Sequence, residues 1–182
     1  YLKKLKLCIN LIKYDQIKFV AQVFNQIKKN KKTIYICGNG GSAANADHIS
    51  NDLMLGLNKK KQGYKIVSLS SNVAKISCIG NDLGYEKLYE RVLNSIGREG
   101  DVLLGITTSG NSENINLAFK SAKKLGVSAF GFLGGGGGKS LSLCDEAFIV
   151  PSYDTGRIQE AHITAGHALM EYVEDKLISE GY

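Results

Sequence analysis

The chain has 182 residues and a formal charge of +6, with 23 Lys and Arg against 17 Asp and Glu. Hydrophobic residues make up 43% of it and charged residues 22%, which predicts a single globular domain over residues 1–182 and excludes a mainly disordered chain. Apolar runs such as 102–104 are far shorter than the about 20 residues that a membrane helix needs, so no membrane association is expected.

The positive charge does not by itself predict nucleic-acid binding. Its lysines cluster at 28–32 and 59–61, which are typical of solvated loop ends, so we expect no nucleic-acid partner. The same field would favour a small anionic substrate. The four cysteines lack the pair spacing of a disulfide framework or a zinc ribbon, which favours a reducing cytoplasm.

Hydrophobic periodicity predicts helices and strands that alternate along most of the chain. Residues 2–29 are helical in pattern, with Asp15 as a candidate N-cap and a three-four apolar stripe after it. A five-glycine run at 134–138 predicts a flexible turn. The predicted strands are 33–37, 65–69, 101–107, 127–133 and 146–150, and the predicted later helices are 42–57, 73–79, 86–96, 112–125 and 157–180.

This alternation predicts a parallel sheet covered by helices on both faces. Residues 31–182 form its α/β core, and the helices of residues 1–30 are additional to it. Their apolar stripe needs a partner, which a neighbouring subunit could supply. Ligands of such sheets lie at the carboxyl ends of the strands, so the loops after the strands are the candidate sites.

Two of these loops are suited to an anion. Gly38-Asn39-Gly40-Gly41-Ser42 opens a helix, where free amides attract negative charge, although a plain strand-to-helix turn explains it equally well. Thr107-Thr108-Ser109-Gly110-Asn111-Ser112 opens another helix. An N-cap at Ser112 does not explain its other hydroxyls, so a phosphate cradle of neutral donors is favoured.

The histidines suggest a metal. His48 and Asp52 lie one turn apart on a predicted helix, which suits two ligands of one ion or an ordinary surface pair. On the last helix, His162 falls in the apolar stripe and is interpreted as a core residue. Gln159 and His167 are separated by about 12 Å of helical rise. To hold one ion, they need an irregular first turn or contributions from two subunits.

The motifs together resemble the phosphoheptose isomerases (sedoheptulose 7-phosphate isomerases) of the SIS, or sugar isomerase, superfamily. The resemblance runs over essentially the whole chain in order and spacing. It is carried by GNGGSAA at 38–44 followed by His48, GND at 80–82, GREGDVLLGI at 97–106, TSGNS at 108–112 and RIQE at 157–160.

The resemblance implies a flavodoxin-like five-stranded parallel sheet and a homotetramer bundled by the N-terminal helices; an active site shared between subunits stays a hypothesis from the spacing of Gln159 and His167. It implies isomerisation of sedoheptulose 7-phosphate to D-glycero-D-manno-heptose 7-phosphate, the first step toward activated heptose for lipopolysaccharide or other surface glycans. It also implies zinc held by His48, Asp52, Gln159 and His167. The implied substrate-binding residues are Asn39, Gly40, Gly41, Ser42, Asp52, Asn81, Asp82, Thr107, Thr108, Ser109, Ser112 and Gln159.

Aldose–ketose exchange passes through an enediol and needs a base at carbon and an acid at oxygen. We assign these roles to Asp52 and His167, with His48 as a ligand only. The resemblance departs at Asp52, where the family has Glu, and the shorter side chain withdraws the carboxylate by about one C–C bond. The alternatives are a non-catalytic regulator resembling the DnaA initiator-associating protein and a sugar-phosphate-sensing module.

Overall fold

A five-stranded parallel sheet forms the centre of the fold. The computed structural model describes residues 1–12, 14–55 and 63–179. The strand order is β2-β1-β3-β4-β5 with every neighbouring pair parallel, which confirms the predicted flavodoxin-like class. The strands are β1 (Ile34–Gly38), β2 (Ile66–Ser68), β3 (Val102–Thr107), β4 (Ser128–Leu133) and β5 (Glu146–Ile149).

Seven α-helices surround the sheet in the part of the chain that the structure describes. They are α1 (Leu2–Asn10), α2 (Tyr14–Lys29), α3 (Gly41–Leu55), α4 (Val73–Asp82), α5 (Leu88–Ile96), α6 (Glu113–Leu125) and α7 (Thr155–Ser179). Short 3₁₀ turns lie at Tyr85–Lys87 and Lys139–Ser142, and Gly135–Gly137 forms a tight turn of residues with positive φ. The predicted helix ends at 56–57 and 180, and the basic run 59–61, lie outside the described residues.

Two apolar layers hold the helices to the sheet. Because side chains alternate between the faces of a strand, Ile34 and Ile36 of β1 enter one layer and Tyr35 and Cys37 enter the other. The first layer includes residues of α2, α3 and α7, and the second includes residues of α5 and α6. This burial on both sheet faces explains why the strands read as continuous apolar runs.

The N-terminal segment differs from the prediction in one respect. Its helical stretch forms α1 and α2, and α2 begins at Tyr14, so Asp15 lies in the first turn and is not the N-cap. There its carboxylate complements the helix dipole. The apolar stripe of α2, including Val20 and Phe24, is buried within the same chain, with α2 packed on α7.

Helices α3 and α7 lie side by side and run in the same direction. Near their starts, Asn45 Nδ2 donates a hydrogen bond to the carbonyl oxygen of Gln159 at 2.9 Å. Further along, a Cβ at Gly166 would lie 2.8 Å from Ile49, so the two helices are in close contact there. Residues at matching depths on α3 and α7 therefore meet, and this pairing positions the candidate site.

Candidate active site

The loop after β1 is held in place by an amide pair. Asn39 Nδ2 donates to Asn114 Oδ1 at 2.9 Å, and Asn114 Nδ2 donates to Asn39 Oδ1 at 2.8 Å. The Tyr85 hydroxyl donates to the same Asn39 oxygen at 2.9 Å. Asn39 therefore fixes the loop to α6, and Gly40 and Gly41 present their backbone at the start of α3.

The loop after β3 is supported by the glycine run. Thr107 Oγ1 and Ser112 Oγ lie 2.9 Å apart, so the Ser112 hydroxyl faces into the loop although Ser112 precedes α6 as its N-cap residue. Gly110 has a φ of +64°, and a Cβ there would lie 2.0 Å from the carbonyl oxygen of Gly137. The glycine run predicted as a flexible turn thus forms a tight turn of positive-φ residues packed against this loop.

A pocket of about 270 Å³ lies between the two loops at the carboxyl edge of the sheet. Its lining contains amides, hydroxyls and glycines and no ionisable side chain. Helices α3 and α6 both begin beside it, so their partial positive charge would stabilise an anion. The lining residues are Asn39, Gly40, Gly41, Ser42, Ile106, Thr107, Thr108, Ser112, Thr155 and Gln159.

Two histidines and a carboxylate converge further along α3 and α7. His48 Nε2 and His167 Nε2 lie 3.0 Å apart, although 119 residues separate them in the sequence. Asp52 Oδ2 lies 3.0 Å from His48 Nε2 and 3.9 Å from His167 Nε2. Both imidazoles are about half exposed, at 51% and 53%, whereas the Asp52 side chain is 23% exposed.

This cluster fits a divalent metal ion. Its three ligand atoms lie within 4.8 Å of one another, and tetrahedral zinc ligands are separated by about 3.3 Å. Two imidazole nitrogens and a carboxylate oxygen are a usual donor set for zinc, although other divalent ions accept it too. The facing Nε2 atoms of His48 and His167 are the observation that favours a metal here.

His162 is confirmed as a core residue. It is fully buried between the Phe132 and Phe148 rings, and its Nε2 lies 3.0 Å from the carbonyl oxygen of Leu133 at the end of β4. Burial lowers the pKa of His162 to about 4. The neutral ring therefore donates from Nε2 to Leu133 and helps to fix the carboxyl edge of β4 against α7.

Not every predicted site residue lies at the pocket or the metal cluster. Gln159 lies at the pocket, where a Cβ on Gly41 would be 2.5 Å from its Oε1. Because α7 is unbroken, Gln159 precedes His167 by about 12 Å of helical rise. Asn81 and Asp82 are exposed at the end of α4 and bonded to each other, outside the pocket lining. Ser109 is exposed at the rim, with its Oγ accepting from the Asn111 amide.

Three residues that support the loops were missed by the sequence analysis. Asn114 and Tyr85 hold Asn39, and the buried Tyr89 hydroxyl donates to the carbonyl oxygen of Gly38. The signal for Asn114 was its polarity on the face of α6 that otherwise packs apolar side chains, where an unpartnered amide would be costly. Tyr85 and Tyr89 carried no signal, because single tyrosines are common both on a protein surface, where Tyr85 lies, and in a core, where Tyr89 lies.

Among the described helices, none combines the length and the hydropathy that crossing a membrane requires.

Comparison with known proteins identifies the family. A model of the SIS domain matches residues 1–134. The phosphoheptose isomerase of Clostridium acetobutylicum is 44% identical over 91% of this chain and 85% of its own length.

Two solved structures extend the comparison to the fold. The phosphoheptose isomerase GmhA from Neisseria gonorrhoeae superposes with a TM-score of 0.87 at 32% identity, over 94% of this chain and 92% of that one. The phosphoheptose isomerase from Francisella tularensis gives 0.90 at 28% identity, with the same coverage. The chain belongs to the SIS domain family and, within it, to the phosphoheptose isomerases.

Proposed function

We propose that this chain isomerises sedoheptulose 7-phosphate to D-glycero-D-manno-heptose 7-phosphate. The observation that carries the proposal is the convergence of His48, Asp52 and His167 beside a neutral anion pocket, in a member of the phosphoheptose isomerase family. The same groups would serve no purpose in a purely protein-binding regulator. In the cell, the reaction would supply heptose phosphate for surface glycans such as lipopolysaccharide, in the cytoplasm.

The dimensions of the site suit an extended seven-carbon sugar phosphate. Helical rise places His48 about 10 Å beyond Gly41 along α3. The reacting carbons and the phosphorus of an open-chain heptose 7-phosphate are separated by about 9 Å, as judged from standard bond lengths. The phosphate would bind the hydroxyls of Thr107, Thr108 and Ser112, and the reacting carbons would lie at the histidine pair.

Binding at the phosphate end rests on neutral donors. The pocket offers hydroxyls and the amino ends of helices, and no lysine or arginine lines it. Such donors hold a dianion without placing a strong cation against it. Ser42, Ser109, Asn81 and Asp82 complete the proposed substrate contacts, the last two on the exposed end of α4.

Asp52 and His167 would carry the protons. The Asp52 carboxylate takes a proton from C1 and returns it to C2, while His167 donates a proton to O2 and accepts one from O1. The product is the aldose, and both side chains end in their starting protonation states. The same oxygen exchange would let His167 assist ring opening of the substrate.

His48, Asp52 and His167 would hold a zinc ion, with Gln159 as a further proposed ligand. When bound, the ion would polarise the substrate carbonyl as a Lewis acid. Ligation through one atom leaves Oδ1 of Asp52 and Nδ1 of His167 for proton transfer. The position of Asp52, with its Oδ2 within 3.9 Å of both imidazoles, would offset its shorter reach compared with the family's Glu.

We further propose that the working enzyme is a homotetramer whose subunits share the site. The exposed halves of His48 and His167 leave a surface that a second subunit would cover, and exclusion of water would protect the enediol. A contribution of Gln159 from one subunit to the ion of another would overcome its distance from His167 along α7. Loss of bound metal on dissociation to monomers would support this arrangement, and a fully ligated monomer would contradict it.

The test is turnover of sedoheptulose 7-phosphate with and without added zinc. We expect turnover by the native chain, retained activity in Asp52→Glu and a loss of about 100-fold or more in Asp52→Asn. Asp175→Asn, the same change at an exposed position of α7, is the matched control. Absence of turnover in both the native chain and Asp52→Glu, with the fold intact, would contradict the proposal.

A further inference from the structure

A second cavity, of about 510 Å³, lies at the opposite edge of the sheet from the proposed active site. It opens where β1, β2 and β3 begin, next to Thr33, Lys65 and Asp101, which each precede a strand. The length of β1 places it about 17 Å from the Gly38 loop. Its lining consists of Lys31, Lys32, Thr33, Tyr35, Lys65, Val67, Ile96, Arg98 and Asp101.

The lining carries a cluster of like charges. Lys31 and Lys32, Lys65 and Arg98 contribute four cations from three separate stretches of backbone around one opening. None of them takes part in an ion pair with another described residue. Like charges around one cavity repel each other, so this arrangement is stabilised when an anion binds between them.

The one carboxylate of the lining already accepts hydrogen bonds from neighbouring residues. Asp101 is 3% exposed, its Oδ1 accepts from the Thr33 amide at 2.8 Å, and its Oδ2 accepts from the Arg98 amide at 2.9 Å. The Tyr35 hydroxyl donates to the same Oδ2 at 3.3 Å. Asp101 therefore organises the backbone of the cavity floor, and the lining keeps a net charge of three positive units.

Lys31 adds an independent observation. Its φ of +55° makes it the only described non-glycine residue in the left-handed region. The end of α2 has the same hydrogen-bond pattern as the end of α6 at Gly126. The Lys31 and Lys32 amides donate to the carbonyl oxygens of Lys28 and Ile27, and the Gly126 and Val127 amides donate to those of Lys123 and Ala122. Glycine is the favoured residue at this position, so lysine here has a conformational cost that its ammonium group at the cavity would offset.

We infer that this cavity is a second anion site, which binds a small polyphosphate. Three net positive charges match the charge of a diphosphate better than that of a single phosphate. The volume is within the range of ligand pockets, and Val67 and Ile96 form an apolar wall that a nucleotide ring could contact. The occupant is therefore pyrophosphate itself or the diphosphate group of a nucleotide.

Isothermal titration of the full chain at about 0.15 M ionic strength tests this site, with pyrophosphate, ADP and inorganic phosphate as probes. We expect pyrophosphate and ADP to bind with a Kd below about 1 mM and inorganic phosphate about tenfold more weakly. Tighter binding of ADP than of pyrophosphate would assign the apolar wall to the nucleotide ring, and equal binding would assign the site to the diphosphate alone.

Variants distinguish this site from the carboxyl-edge pocket. Lys65→Gln weakens binding about tenfold, whereas Lys120→Gln on the exposed face of α6 and Ser112→Ala in the pocket leave it unchanged. Lys31→Gly weakens binding by a similar factor while it raises the thermal midpoint, a combination that a purely structural role would not produce.

Three outcomes would overturn the inference. These are absence of binding by pyrophosphate and ADP, loss of binding in Ser112→Ala with retention in Lys65→Gln, and binding of a short single-stranded oligonucleotide in place of either probe. The last would assign the cluster to a nucleic acid. None of these outcomes bears on turnover, so the inference and the proposed isomerase activity fail separately.

Discussion

The positive potential at the two edges of the sheet has different origins. At the carboxyl edge, the pocket is lined by amides, hydroxyls and glycines, and the positive potential comes from the starts of α3 and α6. At the amino edge, helices end rather than begin, and the positive charge is carried by four side chains. Net charge is therefore a poor guide to the active site. The cluster of basic side chains lies at the amino edge, and the proposed active site lies at the carboxyl edge.

The difference has a chemical reason. Backbone dipoles hold an anion in a fixed orientation and cost no side-chain ordering, which suits a substrate that must be aligned with catalytic groups. Lysine side chains are long and strongly hydrated, so they bind charge with less geometric precision. The carboxyl edge is thus suited to catalysis, and the amino edge to binding alone. Variants at each edge can test this division.

The largest effect is expected at the histidine pair. His167→Asn should lower kcat on sedoheptulose 7-phosphate by about 1000-fold, because the proposed oxygen acid and a proposed metal ligand would be lost together. Thr164→Ala, on an exposed turn of the same helix, is the control and should retain native kcat. Steady-state kinetics at saturating zinc measures both variants. A kcat within threefold of native in His167→Asn, about 0.6 kcal/mol, would contradict the proposed role.

The next effect is the pH dependence of stability that the buried His162 causes. This residue lies on α7, and its ring meets the carbonyl oxygen of Leu133 at the end of β4. Because burial lowers the pKa of His162 to about 4, the unfolded chain binds a proton below pH 6.5 that the folded chain does not. The free energy of unfolding should therefore fall by about 3 kcal/mol as the pH falls from 6.5 to 4. The contribution of neutral His162 to the free energy of unfolding is fully present above pH 6.5 and is lost as the pH falls below that value.

Urea unfolding at a series of pH values measures this dependence. His162→Gln removes the titrating group and keeps an amide that can donate to Leu133, so the difference in slope between the two proteins isolates His162 from the carboxylates. Equal slopes in the two proteins would show that His162 does not carry the acid sensitivity.

Much of the fold was predictable from the sequence because its signals were local. Parallel strands buried on both faces, such as 102–107, are continuous apolar runs, and the turns between elements carry glycines. The break between α1 and α2 was not predictable, since no proline or glycine marks it, and the burial of α2 against α7 joins segments that are distant in sequence.

The candidate site was predictable only in part. His48 and Asp52 share a helix, so their spacing predicts their contact, whereas the meeting of His48 with His167 depends on how α3 and α7 pack. The amide pair of Asn39 and Asn114 likewise joins the loop after β1 to α6 and has no local pattern. The basic cavity has the same origin, because the basic residues of its lining are spread from Lys31 to Arg98.

A smaller effect concerns the close contact between Gly110 and the glycine run. Two variants distinguish the contribution of this contact from the cost of a left-handed backbone conformation. Gly110→Ala places a Cβ in the left-handed region and 2.0 Å from the Gly137 carbonyl oxygen, so the free energy of unfolding should fall by about 3 kcal/mol and KM should rise. Gly136→Ala is the matched control, with a φ of +75° and its nearest neighbour, the Tyr153 hydroxyl, 3.6 Å away.

Gly136→Ala should therefore lose only about 1 kcal/mol, the cost of the left-handed conformation, with KM unchanged. Urea unfolding and steady-state kinetics on both variants measure the difference. Equal losses would show that the carboxyl-edge loop does not depend on its contact with the glycine run.

The smallest effect lies at the amino edge, where two helix ends share a backbone geometry and differ in residue. Lys31→Gly should raise the free energy of unfolding by about 1 kcal/mol, and Gly126→Ala should lower it by about the same amount, because both helix ends need a left-handed residue. Chemical unfolding in the absence of polyanions measures both. If Lys31→Gly lowers the free energy of unfolding instead, the lysine side chain stabilises this helix end. A rise in the free energy of unfolding would mean that the chain retains a destabilising residue at this helix end, where the charge of Lys31 lines the cavity.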